Sequence, residues 1–342
     1  MFGLSLIRGR GFVNGQNRGE CYFPVMVTVL DNAPREKFSD PLLTAKGETR
    51  ASVGFRELRT LWINTGTLCN IECANCYIHS SPTDDRLTYI SAAEAASFFD
   101  EAAGFSDALP EIGFTGGEPF MNPDMLAMTG DALARGHAVL ILTNAMQPML
   151  RPRVKAGLLA LNETYGRQLS LRVSLDHYTE TLHDAERGAG SFAKAMEGLR
   201  WLAENGFAVS VAGRTVTGEP EDEQRGGYAA VFERENIRID ANNAAMLVLF
   251  PEMDEKADVP EITTACWGIL HVDPANMMCA TSRMVVKRKG AAAPAVVACT
   301  LLPDDPQFEM GTTLEESVRP VQLNHRHCAK FCVLGGASCS AS

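Results

Sequence analysis

LWINTGTLCNIECANCY, residues 61–77, decides the fold. Its first seven residues, LWINTGT (61–67), read as a short buried strand. That strand runs straight into a loop carrying Cys69, Cys73 and Cys76 within eight positions. A structural zinc site closes its tetrahedron with four protein ligands. A redox pair needs only two thiols. Three thiolates on one short loop suit a metal centre that keeps a position open for something other than protein. A zinc knuckle completed by His79 is the plain alternative at this point.

A rhythm of strands and helices follows. SAAEAASFFDEAA (91–103) reads as a helix opened by a Ser91–Glu94 capping box. EIGFTGG (111–117) reads as a strand, and NPDMLAMTGDALARG (122–136) as a helix with Asn122 as N-cap and Gly136 as stop signal. AVLILTNA (138–145) and LSLRVSLD (169–176) are strands around a helix over 151–166. A helix over 191–206 leads to the strands AVSVAGRTV (208–216) and AAMLVLF (244–250), with a polar helical stretch near 222–235 between them. Near-continuous apolar runs are expected of parallel strands covered by helices. The pattern predicts an α/β protein, a partial (β/α)6 TIM-type barrel over 58–250. A doubly wound open sheet is the alternative, but no GxGxxG or GxxxxGK[ST] follows the first strand. Residues 1–57 read as an irregular N-terminal extension around one strand-like run, FPVMVTVL (23–30). After about 251 the rhythm stops, and 251–342 reads as a cysteine-rich C-terminal domain.

The bulk numbers narrow the class. A net charge of −11 over 342 residues argues against a non-specific nucleic-acid binder. No stretch reaches the ~18–20 apolar residues of a membrane span, and the N-terminus lacks the features of a secretory signal. The expectation is a cytoplasmic protein with no membrane or nucleic-acid partner. In that reducing compartment clustered cysteines read as metal or catalytic ligands rather than disulfides. Ten are present: 21, 69, 73, 76, 266, 279, 299, 328, 332 and 339.

The cysteine loop resembles the signature of the radical S-adenosylmethionine (SAM) superfamily, CxxxCxxC on the first strand of a partial barrel. Asn75 stands where that family is commonly aromatic, with Tyr77 one place late. Four further elements are similar to the family's in order along the chain. Gly116-Gly117-Glu118-Pro119 resembles its "GGEP", and Thr143-Asn144 its "TNG", with Ala145 in place of the glycine. Ser174-Leu175-Asp176 resembles "SLDG", and HDAERGAGSF (183–192) resembles "HD…RG…GSF". The resemblance covers roughly 61–206. It implies a [4Fe–4S] cluster on Cys69, Cys73 and Cys76, with SAM at the open iron. It implies cofactor contacts from Gly116, Gly117, Glu118, Pro119, Asn144, Ser174 and Asp176, with Arg187 holding the SAM carboxylate. In the family a low-potential cluster passes one electron to the sulfonium, and a carbon–sulfur bond breaks. The product is usually a 5′-deoxyadenosyl radical, and in a minority a 3-amino-3-carboxypropyl group. An electron donor such as flavodoxin or ferredoxin is implied.

The tail admits two readings. Cys266, Cys279, Cys299, Cys328, Cys332 and Cys339 are enough for a second Fe–S cluster, as in the SPASM and twitch branches, which modify peptides or small metabolites. Their spacing does not reproduce CxxCxxxxxCxxxC. Alternatively, Arg326-His327-Cys328-Ala329-Lys330-Phe331-Cys332 resembles the Arg-Cys-Cys-Leu-Lys-Phe-Cys element of the radical SAM enzymes of arsinothricin biosynthesis. Five of seven residues agree, with His327 in place of a cysteine and Cys339 as a candidate third thiol. Soft thiolates hold thiophilic centres. Arg326, His327, Cys328, Cys332 and Cys339 are then the candidate acceptor site. The expectation leans to transfer of the 3-amino-3-carboxypropyl group to a small thiophilic acceptor such as trivalent arsenic. The alternatives are a 5′-deoxyadenosyl-radical enzyme with an auxiliary cluster, acting on a peptide or natural-product intermediate, and a non-catalytic metal-binding scaffold.

Overall fold

The structure is a computed structural model that describes residues 36–105, 108–215, 218–251 and 256–336. The expected strand at 23–30, Cys21 and Cys339 lie outside the described residues. A two-residue strand, β1 (Ser52–Val53), precedes the barrel. β2 (Thr60–Asn64), β3 (Glu111–Thr115), β4 (Val139–Thr143), β5 (Leu169–Ser174), β6 (Ala208–Thr215) and β7 (Leu247–Pro251) then pair in parallel in that spatial order. Strands that neighbour one another in chain order belong to a barrel. A doubly wound sheet would reverse direction at a switch point, and this one does not. The fold is the expected partial (β/α)6 barrel.

Packing explains the elements. β2 is buried at all five positions, as parallel strands covered by helices must be. α1 (Ala92–Ala103) carries the predicted capping box and buries Ala95, Phe98, Phe99 and Ala102, one face at helical spacing. α2 (Met125–Ala134) starts later than the sequence suggests. Asn122 does not cap it: its buried amide donates to Thr65 O at 3.1 Å and Ile90 O at 2.9 Å, pinning the chain beneath β2. Asp124 is spent likewise on the neighbouring helix, accepting from Ala92 N at 3.0 Å. α3 (Gln147–Leu150) and α4 (Pro152–Tyr165) join β4 to β5. α5 (Glu180–Arg187) and α6 (Ser191–Glu204) join β5 to β6, and α7 (Glu221–Arg234) precedes β7.

The described residues of the tail, 256–336, carry strands that join the barrel sheet. After the short α8 (Cys266–Leu270), β8 (Ser282–Val286) pairs in parallel with β2 and extends the barrel sheet on its first edge. β9 (Ala295–Val297) and β10 (Glu309–Gly311) continue it antiparallel, giving nine strands in the order β10-β9-β8-β2-β3-β4-β5-β6-β7. SRMVV in β8 is buried throughout, which gives it the same reason to join the sheet as any barrel strand. β11 (Val321–Gln322) pairs with β1, so residues 36–57 are knitted to the tail. Arg50, buried, seals that junction through Glu261 at 2.6 Å and the carbonyls of Asp40 and Leu43. Among the described residues no helix is long and apolar enough to cross a membrane.

Candidate active site

Six strands deliver their carboxyl ends to one cavity of about 1060 Å³, open mouth included. Parallel barrels place their chemistry at that end. Cys69, Cys73 and Cys76 line it, together with Gly116, Gly117, Asn144, Ser174, Asp176 and Arg187. Elements spread over more than a hundred positions of chain thus meet around one space.

Gly117 is required where it sits, because a Cβ there would run into the Leu68 and Thr67 carbonyls. Gly116 has φ +139°, and a Cβ would lie 2.6 Å from Gly66 O. Backbone bonds Gly117 N to Gly66 O (2.8 Å) and Glu118 N to Leu68 O (3.1 Å) then lace the end of β3 to the start of the cysteine loop.

Glu118 and Pro119 are buried and do not line the cavity. The Glu118 carboxylate accepts from Thr143 Oγ1 at 2.8 Å, Asn144 N at 2.8 Å and Phe120 N at 3.3 Å. It fastens β3 to β4, and through Thr143 and Asn144 it supports two residues that line the cavity. Burial pushes its pKa up to about 7, against the pull of those donors.

Asp176 and Arg187 form a buried two-point ion pair, Nε–Oδ2 2.7 Å and Nη2–Oδ1 2.9 Å. Burial opposes the charge on Asp176, yet Arg187 and Arg214 outweigh it and hold the carboxyl below its ordinary value. Arg187 is expected to grip a cofactor carboxylate; here its fork is engaged by Asp176. The remaining letters of HDAERGAGSF are structural. His183 accepts from Asp176 N at 3.1 Å, and burial pushes its pKa down to about 4. Asp184 caps α6, accepting from Phe192 N at 2.8 Å and Ser191 Oγ at 3.0 Å.

Three thiols on one cavity-lining loop are the donor set of a cluster that leaves one iron open. Sulfurs on one zinc ion would lie within about 4 Å of one another, and corners of a cubane hold them further apart. Among the described residues no three His, Cys, Asp or Glu side chains are gathered tightly enough for a single metal ion. N–H donors already face two sulfurs: Ser80 N lies 3.3 Å from Cys76 Sγ, and Asn144 Nδ2 lies 3.9 Å from Cys69 Sγ. Burial pushes the Cys69 thiol up to about 12 and also raises Cys73, where Arg187 and Arg214 pull the other way. A metal must displace those protons to bind.

Several lining residues carry no motif. Arg172 and Arg214 project from β5 and β6, and Phe250, Leu301 and Phe331 form an apolar wall, with Phe250 stacked on Phe331 at 5.6 Å. Leu301 and Phe331 come from the tail. The tail cysteines among the described residues do not line the cavity: Cys279 and Cys328 are buried, and Cys328 feels the fields of Cys299 and Cys279. Cys266 engages Thr263, its sulfur 3.3 Å from Thr263 N. Arg326, His327, Cys328 and Cys332 do not line the cavity.

Comparison with known proteins agrees with this geometry. The description "Radical SAM superfamily" matches residues 63–226. The antilisterial bacteriocin subtilosin biosynthesis protein AlbA of Bacillus subtilis is 30% identical over 145 residues, 42% of this chain and 30% of that protein. The mycofactocin maturase MftC of Mycobacterium ulcerans is 33% identical over 149 residues, 44% of this chain and 37% of that one. The chain thus spans about a third of the length of these curated relatives. Among solved structures, Streptococcus suis SuiB bound to S-adenosylmethionine aligns with TM-score 0.54 at 12% identity, over 75% of this chain and 63% of that one. The enzyme anSMEcpe with bound AdoMet aligns with TM-score 0.55 at 13% identity, over 75% and 76%. At such identity the likeness is one of fold.

Proposed function

We propose that this chain is a radical SAM enzyme that modifies a peptide, with Cys69, Cys73 and Cys76 holding its [4Fe–4S] cluster. The family's cofactors are that cluster and SAM. When bound they supply one-electron cleavage of a carbon–sulfur bond. The chain's own residues do the rest. Gly116 and Gly117 let backbone approach SAM, Asn144 and Ser174 offer hydrogen bonds, and Arg187, oriented by Asp176, presents positive charge to a carboxylate. Phe250, Leu301 and Phe331 keep water from the side where substrate would sit. Flavodoxin or ferredoxin is the class of reductant that suits such a site.

The observation that carries this reading is the convergence of the three cysteines, three strand-end elements and Arg187 of α5 on one cavity. The peptide substrate is supported by the relatives. AlbA and MftC are named for bacteriocin biosynthesis and mycofactocin maturation, SuiB is solved with precursor peptide SuiA, and anSMEcpe with the Cp18Cys peptide. Transfer of 3-amino-3-carboxypropyl to trivalent arsenic has less behind it. The tail turns Leu301 and Phe331 to the cavity rather than Cys328 or Cys332, and none of these relatives is named for arsenic. A second cluster would draw on Cys279, Cys299 and Cys328, the set whose fields overlap.

Anaerobic reconstitution followed by dithionite and SAM tests the proposal. We expect 5′-deoxyadenosine, with about four irons per chain for one cluster or about eight for two. 5′-Methylthioadenosine instead would restore the transfer reading. No nucleoside at all from iron-loaded protein would leave a scaffold.

A further inference from the structure

Between Cys73 and Cys76 the loop is fastened from outside by two charged residues, Arg214, which no motif contains, and Glu186, which fills an unspecified position of HDAERGAGSF. Ala74 N donates to Glu186 O at 2.8 Å, and Asn75 Nδ2 donates to Glu186 Oε2 at 2.9 Å. Asn75 O accepts from Arg214 Nη2 at 2.8 Å. The same guanidinium lies 3.9 Å from Glu186 Oε2 and 3.7 Å from Asp176 Oδ1. Both side chains are largely withdrawn from solvent, 12% exposed for Arg214 and 16% for Glu186, so their fields are weakly screened. The polar Asn75, at the position the family commonly fills with an aromatic ring, is what makes the side-chain bond to Glu186 possible; the other two use backbone atoms of the loop.

We propose that Arg214 and Glu186 are positioning residues that clamp the 73–76 loop to the end of β6 and the last turn of α5. Their opposite charges also set the electron affinity of the cluster that loop holds. The inference rests on the reading that Cys69, Cys73 and Cys76 bind the cluster. A reduced cluster carries one more negative charge than an oxidised one. A guanidinium beside Cys73 therefore favours reduction, and the Glu186 carboxylate opposes it. Arg214 lines the cavity, so its charge acts where the electron arrives.

The test uses full-length protein reconstituted anaerobically without SAM or substrate. Iron content is measured first. The reduced fraction is then read by electron paramagnetic resonance at a fixed potential poised with dithionite and mediators. Arg214→Met should lower the reduced-to-oxidised ratio roughly 3- to 10-fold. Arg214→Lys, which restores the charge, should return it close to wild type. Glu186→Gln keeps an acceptor for Asn75 and should raise the ratio. A purely structural role would not give shifts of opposite sign. Equal ratios in wild type, Arg214→Met and Glu186→Gln, or shifts of the same sign, overturn the proposal. If Arg214→Met fails to load iron, Glu186→Gln decides: a raised ratio supports the proposal and an unchanged one overturns it. Wild type that binds no iron sinks the underlying reading instead.

Discussion

The cysteines at the end of β2 and the tail's Cys279 and Cys328 share one chemistry and meet different surroundings. Cys69, Cys73 and Cys76 line a cavity, N–H donors face Cys76 and Cys69, and Cys73 lies in the fields of Arg187 and Arg214. Cys279 and Cys328 are packed among apolar side chains, and the charges that bear on Cys328 are those of other thiols. Burial pushes Cys279 up to about 11 and Cys328 well above the ordinary thiol range. Cysteine density along a chain therefore signals a capacity for metal. Whether a thiol can reach a substrate is decided by the strand end that carries it.

The sharpest way to break this contrast is a pair of substitutions. Cys73→Ala should abolish the SAM-dependent spectral change and drop 5′-deoxyadenosine to background. Cys328→Ala should leave SAM cleavage within a few-fold of wild type; as a buried truncation it should cost roughly 1–2 kcal/mol in urea unfolding. If the tail holds a second cluster, Cys328→Ala also lowers iron content by about half. Loss of nucleoside product in Cys328→Ala would place the tail thiols in the same site as the loop, and the contrast between the two regions would fail.

The two regions are unequally legible in sequence, for a physical reason. The barrel's strands are local apolar runs, and its site residues follow them at fixed short offsets, so pattern and position coincide. That coincidence is enough to put Cys69, Asn144, Ser174 and Arg187 at the mouth of the barrel. α5 escapes a reading by pattern because it is short and buries only His183, leaving no apolar stripe. Arg214 escapes it because a single arginine at a strand end has no motif. The tail's role is hidden differently. β8 earns its place by pairing with β2, more than two hundred positions earlier in the chain, and no local period reports such a partner. The motif puts Glu118 at a strand end, but a letter does not say that Thr143 and Asn144 take up its carboxylate.

Glu118 also supplies a second test, within the cavity rim. Asp176 is held charged by Arg187, whereas Glu118 is buried with only neutral donors around its oxygens. Its folded pKa is about 7 against an ordinary 4.5. Between those values the folded chain binds more protons than the unfolded one, so this group makes stability fall as pH rises through that window. Glu118→Gln removes the titration. The stability of the variant relative to wild type should improve by about 3 kcal/mol between about pH 4.5 and 7.5. Urea unfolding across that range measures it. Parallel curves for the two proteins would mean that Glu118 has a charged partner and belongs with Asp176.

The smallest effect lies one residue beyond Asn144. Ala145 stands where the family's pattern has glycine, and its φ is +57°, in the left-handed region. A side chain there costs roughly 1–2 kcal/mol, so Ala145→Gly should relieve strain. Two terms oppose the relief. The methyl is fully buried, and removing it forfeits about 0.8 kcal/mol. The unfolded chain also gains freedom worth roughly 0.4–1 kcal/mol. The terms nearly cancel, and the expected change is below about 1 kcal/mol in either direction. Gly198 explains why the strain is tolerated. A Cβ on that residue would run into Ala145 O and lie 2.8 Å from the Ala145 Cβ, so α6 leaves room for both the carbonyl and the methyl. Gly198→Ala should therefore be much the worse of the two. If Ala145→Gly alone lost more than about 2 kcal/mol, the methyl would be a wedge that α6 is built around. The rim would then owe its geometry to packing as much as to hydrogen bonds.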